Sequence, residues 1–188
     1  MISKDRMYRN FEVRTGEEAN IITGYAVVFN TVETMYEYEG IAYKEEIRTG
    51  AFNNAIMNDV VLNFNHSGKP VARTKNNTLE ITIDQKGLFV KADLSGTEEG
   101  RRLFEEVKGG YLDKMSFAFT INGEEYNKDT RTRSITEVKR LYDCAIVDLP
   151  AYESTSVQAR SFFEVEAEKE LVEAREILKL AKAKILFL

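Results

Sequence analysis

An α+β fold that is mainly β is predicted by three features of the chain. Short runs of β-branched and aromatic residues alternate with turn-forming residues along most of its length. The aromatic residues are 11 Phe and 9 Tyr with no Trp, and Pro occurs only twice, a balance that suits a sheet packed by rings. Helical spacing is confined to three segments, a short one after Gly50, residues 97–108 and residues 164–188.

Taken in order, residues 8–14 and 21–29 read as an opening hairpin around a turn-like 15–20, and residues 30–40, rich in Tyr, Glu and Thr without a period, read as a long loop. Tyr43 begins a short strand. Gly50 is expected to turn the chain into a short helix with Phe52, Ile56 and Met57 on one side. A strand over 60–65 follows, then a turn at Ser67-Gly68-Lys69-Pro70, then strands over 71–73, 79–83 and 87–94. Thr97 is placed to cap a helix with Glu98 and Glu99 in its first turn, with Leu103, Phe104 and Val107 as its stripe and Gly109-Gly110 as its stop.

The stretch GGYLDKMSFAFTIN alternates Met115, Phe117, Phe119 and Ile121 on one face with Ser116, Ala118 and Thr120 on the other. A strand anchored by its aromatic face leaves the small face for a groove. After a charged loop over 124–133 come strands over 134–138 and 140–147. The second of these puts Leu141, Asp143, Ala145 and Val147 on one face and Tyr142, Cys144 and Ile146 on the other. Pro150 ends it, and 151–161 reads as an exposed connection. From Glu164 onward Ala167, Leu171, Ala174, Leu178, Ala181 and Ile185 form a seam with the period of a packing helix, equally suited to its own domain or to a partner. The uncapped end, ILFL, reads as a helix cut short. The chain divides into a body over 1–161 and a helical appendage over 162–188.

Composition excludes several classes. A net charge of −5 with no basic stripe argues against binding nucleic acid through its phosphates, and no apolar run reaches the length of a membrane span. The first ten residues lack the apolar centre of a secretory signal, and a single Cys144 forms no internal disulfide. One His and one Cys are too few for an ordinary zinc site, so neither metal nor cofactor is expected.

His66, the only histidine, continues the apolar face of Val60, Leu62 and Phe64 to a strand end, where catalytic groups concentrate. A carboxylate at Asp143 on an apolar strand face requires a partner, and His66 is the obvious one. Ser116, His66 and Asp143 are then nucleophile, base and orienting acid, with Asp148 and Glu153 as fallbacks for the acid. A cysteine hydrolase built on Cys144 is disfavoured, because Cys144 points away from Asp143 on the same strand.

The segments GYAVVFN, RTGAF, NFNHSGKPVAR, GYLDKMSFAF and LYDCAIVDLPAY, in this order, resemble the motifs of the prohead maturation proteases of tailed bacteriophages, over about residues 24–159. The resemblance matches His66 to the family's base and Ser116 to its nucleophile. Asp143 stands where the family usually has Glu, Ala118 where it has Gly, and Cys144-Ala145 where it has Val-Ser. Arg73 matches an arginine that often follows the His motif, and is assigned to charge stabilisation or to support of the site. The resemblance implies an assemblin-like β-barrel flanked by a few helices. It also implies a serine endopeptidase that cleaves scaffold or capsid-precursor segments, and itself, inside the assembling prohead in the host cytoplasm. Its partners would be the major capsid protein precursor or scaffold, with a homo-oligomer left open. The other reading is a non-catalytic assembly or scaffolding module that retains the fold.

Overall fold

The computed structural model describes residues 7–16, 20–148 and 157–186. It is mainly β, a curled half-barrel sheet with two α-helices. The strands are β1 (Met7–Thr15), β2 (Ile21–Val28), β3 (Glu33–Tyr38), β4 (Ile41–Ile47), β5 (Val61–Phe64), β6 (Ser67–Arg73), β7 (Leu79–Ile83), β8 (Gly87–Asp93), β9 (Lys114–Asn127) and β10 (Thr132–Val147). The helices are α1 (Glu98–Lys108) and α2 (Val157–Leu186). The sheet runs β3-β4-β10-β9-β1-β2-β8-β7, with β5 paired to β10 and β6 paired to β5.

β10 is the spine. One side pairs with β9 along nearly its whole length. The other side carries, in succession, β4 at residues 132–135, an isolated bridge from Ile56 to Arg140, and β5 at residues 143–146. Its length explains why two shorter strands are expected here: irregularities between Ile135 and Asp143 break the period of two without ending the pairing.

The same spine overrides the helix expected after Gly50. Ala51 and Phe52 are buried, and the segment makes only three-residue turns, with Asn53 N–H donating to Gly50 O and Ala55 N–H to Phe52 O, before its backbone bonds to β10. Val138 N–H donates to Ala51 O, Ile56 N–H to Lys139 O and Leu141 N–H to Ile56 O. Ile56 stays exposed. Residues 30–40 are not a loop either: they contain β3, whose mostly half-exposed faces hide the alternation, and Glu39 and Gly40 turn it into β4 with positive φ at both. The charged 124–133 segment is the β9–β10 hairpin, its charges consumed in part by Arg133, which is buried and paired with Glu45 and Glu124.

The main core gathers Met115, Phe117, Leu62, Cys144 and Ile146 of the sheet in one cluster with Leu103, Phe104 and Val107 of α1, which neighbours β1 and β6. Thr97 caps α1 by accepting from Gly100 N–H. A smaller cluster joins Phe163 and Ala167 of α2 to Tyr43. α2 begins before Glu164, and among the described side chains of its predicted seam only Ala167 is buried, Leu171 being half-buried and Ala174, Leu178 and Ala181 exposed, while the Ile185 side chain lies outside those described. Pro150, the connection that follows it, Glu153 and the last two residues lie outside the described residues.

Candidate active site

β9, which carries Ser116, behaves as its pattern dictates on one side only. Met115, Phe117 and Phe119 are fully buried in the core, but Ser116 is itself only 1% exposed and Ala118 not at all. The small face is therefore covered and not an open groove, and His66 contributes to the cover.

His66 reaches it from an unexpected direction. The turn is not at Ser67–Pro70, which belongs to β6; it is Asn65-His66 itself, closing a two-residue hairpin in which Phe64 pairs with Ser67. Both residues have positive φ, 49° and 54°, as a type I′ turn requires. Asn and His are both among the side chains enriched at positive φ, and a non-Gly residue held there costs about 1–3 kcal/mol that the surrounding structure must offset. Asn65 holds the turn to the end of β10, its N–H donating to Ile146 O and its side-chain oxygen accepting from Asp148 N–H.

Asp143 is aimed by a bulge. β9 pairs Phe119 with Leu141 but Ala118 with Asp143, so one residue is looped out between them. Leu141 therefore faces the core with Phe119, while Asp143 shares the face of Ala118, Ala145 and Ser116. The expectation that Leu141 and Asp143 share a face is corrected by that one residue. Cys144, opposite Phe117, does point away from Asp143 and is buried.

These three placements bring the side chains together. His66 Nε2 is 2.9 Å from Ser116 Oγ, and His66 Nδ1 is 2.5 Å from Asp143 Oδ1. Asp143 is 5% exposed, and the His66 side chain 16%, so the ring is the site's contact with solvent. A carboxylate only accepts, so Nδ1–H donates to Asp143 and the lone pair of Nε2 is left to accept from Ser116 Oγ–H. That arrangement can withdraw the serine proton as the oxygen attacks an electrophilic carbonyl. Asp148, one fallback for the acid, is exposed, and its backbone N–H donates to the Asn65 side chain.

Arg73 is engaged elsewhere. Its guanidinium grips Asp59 through Nε at 2.7 Å and Nη2 at 2.6 Å, and Lys75 adds a contact at 3.1 Å. Arg73 hydrogen bonds, with Lys75 behind them, hold the Asp59 carboxyl well below the usual carboxylate range. The pairing closes the base of the β5–β6 hairpin, at whose tip His66 sits. Burial, and then the charge of Asp143, push the Cys144 thiol up, which disfavours a thiolate nucleophile. Among the described residues, no group of three or more His, Cys, Asp or Glu is placed to hold a metal ion, and no helix is long and apolar enough to cross a membrane.

One residue of the NFNHSGKPVAR segment to which the sequence analysis gave no role belongs to this face. Asn63 is in register with Ala145, itself in register with Ser116, and is 7% exposed. Its signal was present as a polar residue inside an apolar strand.

A family model described as caudovirus prohead serine protease matches residues 9–170. The chain is 28% identical over 150 residues to the prohead protease of Enterobacteria phage HK97, covering 77% of this chain and 62% of that one. The chain thus spans about three fifths of that relative's length. No solved structure matches it.

Proposed function

From a chain that belongs to the caudovirus prohead serine protease family, we propose a serine endopeptidase in which Ser116 is the nucleophile, His66 the general base and Asp143 the group that orients the ring. The observation that carries this reading is the single imidazole bonded on one side to Ser116 and on the other to Asp143. As the serine oxygen attacks a peptide carbonyl, His66 takes its proton and Asp143 stabilises the imidazolium. The proton then passes to the departing amine, and water, activated by the same ring, releases the acyl group. The peptide enters on the solvent-facing side of His66 and lies extended along the sheet.

Arg73 acts in this reading through the hairpin, fixing its base on Asp59 so that the strained tip stays in place. The substrates are scaffold or capsid-precursor segments within an assembling prohead in the host cytoplasm, with self-cleavage as a further event. The body over 1–161 carries the chemistry and 162–188 the recruitment.

Two measurements test this. A fluorophosphonate, which needs only an activated serine, should label the wild-type chain and not Ser116→Ala. Co-expression with the phage capsid precursor should yield fragments, detected by mass spectrometry, that vanish in the same variant. An unlabelled wild type with intact precursor, and assembly that nevertheless depends on this chain, would overturn the enzyme in favour of a scaffolding module.

A further inference from the structure

Asn63 of β5, Ala145 of β10 and Ser116 of β9 form one row across the sheet, and paired residues of neighbouring strands present their side chains on the same face. The middle member is the smallest. With strands about 4.8 Å apart, the outer two Cα atoms are about 10 Å apart, and the Cβ atom of Ala145 does little to fill the space between them.

Asn63 is 7% exposed, and its Oδ1 is fully buried without a hydrogen-bond partner. A buried amide oxygen left unpaired costs about 1–3 kcal/mol, so a partner is missing. The triad does not supply it. Both ring nitrogens of His66 are already committed, one to Ser116 and one to Asp143, and a carboxylate offers no hydrogen to an amide oxygen. The partner therefore comes from outside the chain, and because the oxygen itself is buried while the residue keeps 7% of its surface, the carboxamide turns outward to meet it. A carboxamide both accepts and donates, which matches a peptide group, and a peptide unit of about 3.8 Å between Cα atoms is short enough to bridge from Ser116 toward Asn63.

We propose that Asn63 is a substrate-binding residue whose carboxamide hydrogen-bonds the main chain of the bound peptide beside the scissile bond, setting its register over Ser116. This rests on the serine endopeptidase reading. The contact forms when substrate arrives and removes the cost that the free protein carries. Because the bond is to the main chain, it is indifferent to substrate side chains and fixes which carbonyl meets the serine.

The test uses Asn63→Leu, which keeps the volume and removes the unpaired oxygen, together with Asn63→Ala. Each is compared with wild type in thermal midpoint, in fluorophosphonate labelling of Ser116, and in hydrolysis of a peptide spanning a junction that wild type cleaves. Expected are an unchanged or higher midpoint for Asn63→Leu, labelling within about threefold of wild type, and a KM raised about tenfold, the value of one neutral hydrogen bond. Unchanged KM in a folded variant overturns the inference, and so does a parallel loss of labelling and hydrolysis, which would make Asn63 a support of the triad. If Asn63→Leu does not fold, Asn63→Ala decides by the same criteria. A wild type that is not labelled at Ser116 sinks the endopeptidase reading instead.

Discussion

Leu141 and Asp143, two positions apart on β10, face opposite sides of the sheet, because a residue is looped out between them opposite Phe119 and Ala118. Without that bulge the carboxylate would share the apolar side of Leu141, beneath the sheet and out of reach of the His66 ring. With it, the acid meets the ring at 2.5 Å while Cys144 and Ile146 continue to fill the core. The third member of the constellation is thus placed by a local irregularity of the strand.

Replacing Asp143 by Asn keeps shape and removes the acceptor-only partner, so the ring is no longer held with its proton on Nδ1. The expected result is a fall in kcat of about 10⁴-fold with binding little changed, as for loss of the orienting carboxylate in a Ser–His–Asp arrangement. Steady-state hydrolysis of a junction peptide measures it, and a variant within tenfold of wild type would remove Asp143 from the triad.

Cys144 is buried and its thiol is pushed up, so it should resist iodoacetamide in the native protein and react only on unfolding. Cys144→Ala should cost about 1–2 kcal/mol in stability and leave fluorophosphonate labelling intact. Rapid alkylation that abolishes hydrolysis while the fold persists would point instead to a cysteine nucleophile.

The Arg73–Asp59 pair makes a prediction with a definite sign. The Asp59 carboxyl is depressed in the folded chain, so the stability it contributes is present above the ordinary carboxylate value of about 4 and is lost as pH falls toward the folded value. Arg73→Ala should therefore unfold earlier than wild type at pH 7, and the gap between the two urea midpoints should narrow progressively below about pH 4. A gap that is constant with pH would mean that only packing was lost.

Phe163 is fully buried and Ala167 nearly so, whereas residues 172–182 of α2 are exposed. A chain ended after Ser161 should lose several kcal/mol, since removing a buried Phe side chain alone costs about 3–5 kcal/mol. A chain ended after Glu176 should melt close to the full-length protein. Circular dichroism on the two truncations separates these outcomes, and equal midpoints would show that α2 does not support the sheet.

Local pattern and the single histidine were enough to determine much of this protein. Alternation at Met115, Phe117 and Phe119 marks a strand with Ser116 on its other face, and Thr97, the Leu103-Phe104-Val107 stripe and Gly109 mark α1 nearly to its ends, because these signals are written in neighbouring residues. Asp143 could be paired with His66 on the energetic ground that a buried carboxylate needs a partner. The tertiary structure decided what depends on residues far apart in the chain. Backbone bonds to β10 override helical spacing after Gly50, the β3–β4 pairing organises a segment without periodicity, and a tight turn puts His66 at the hairpin tip in place of the Ser67–Pro70 turn. The bulge that turns Asp143 and the row that brings Asn63 toward Ser116 exist only as register between strands, and a period read along one strand carries no register.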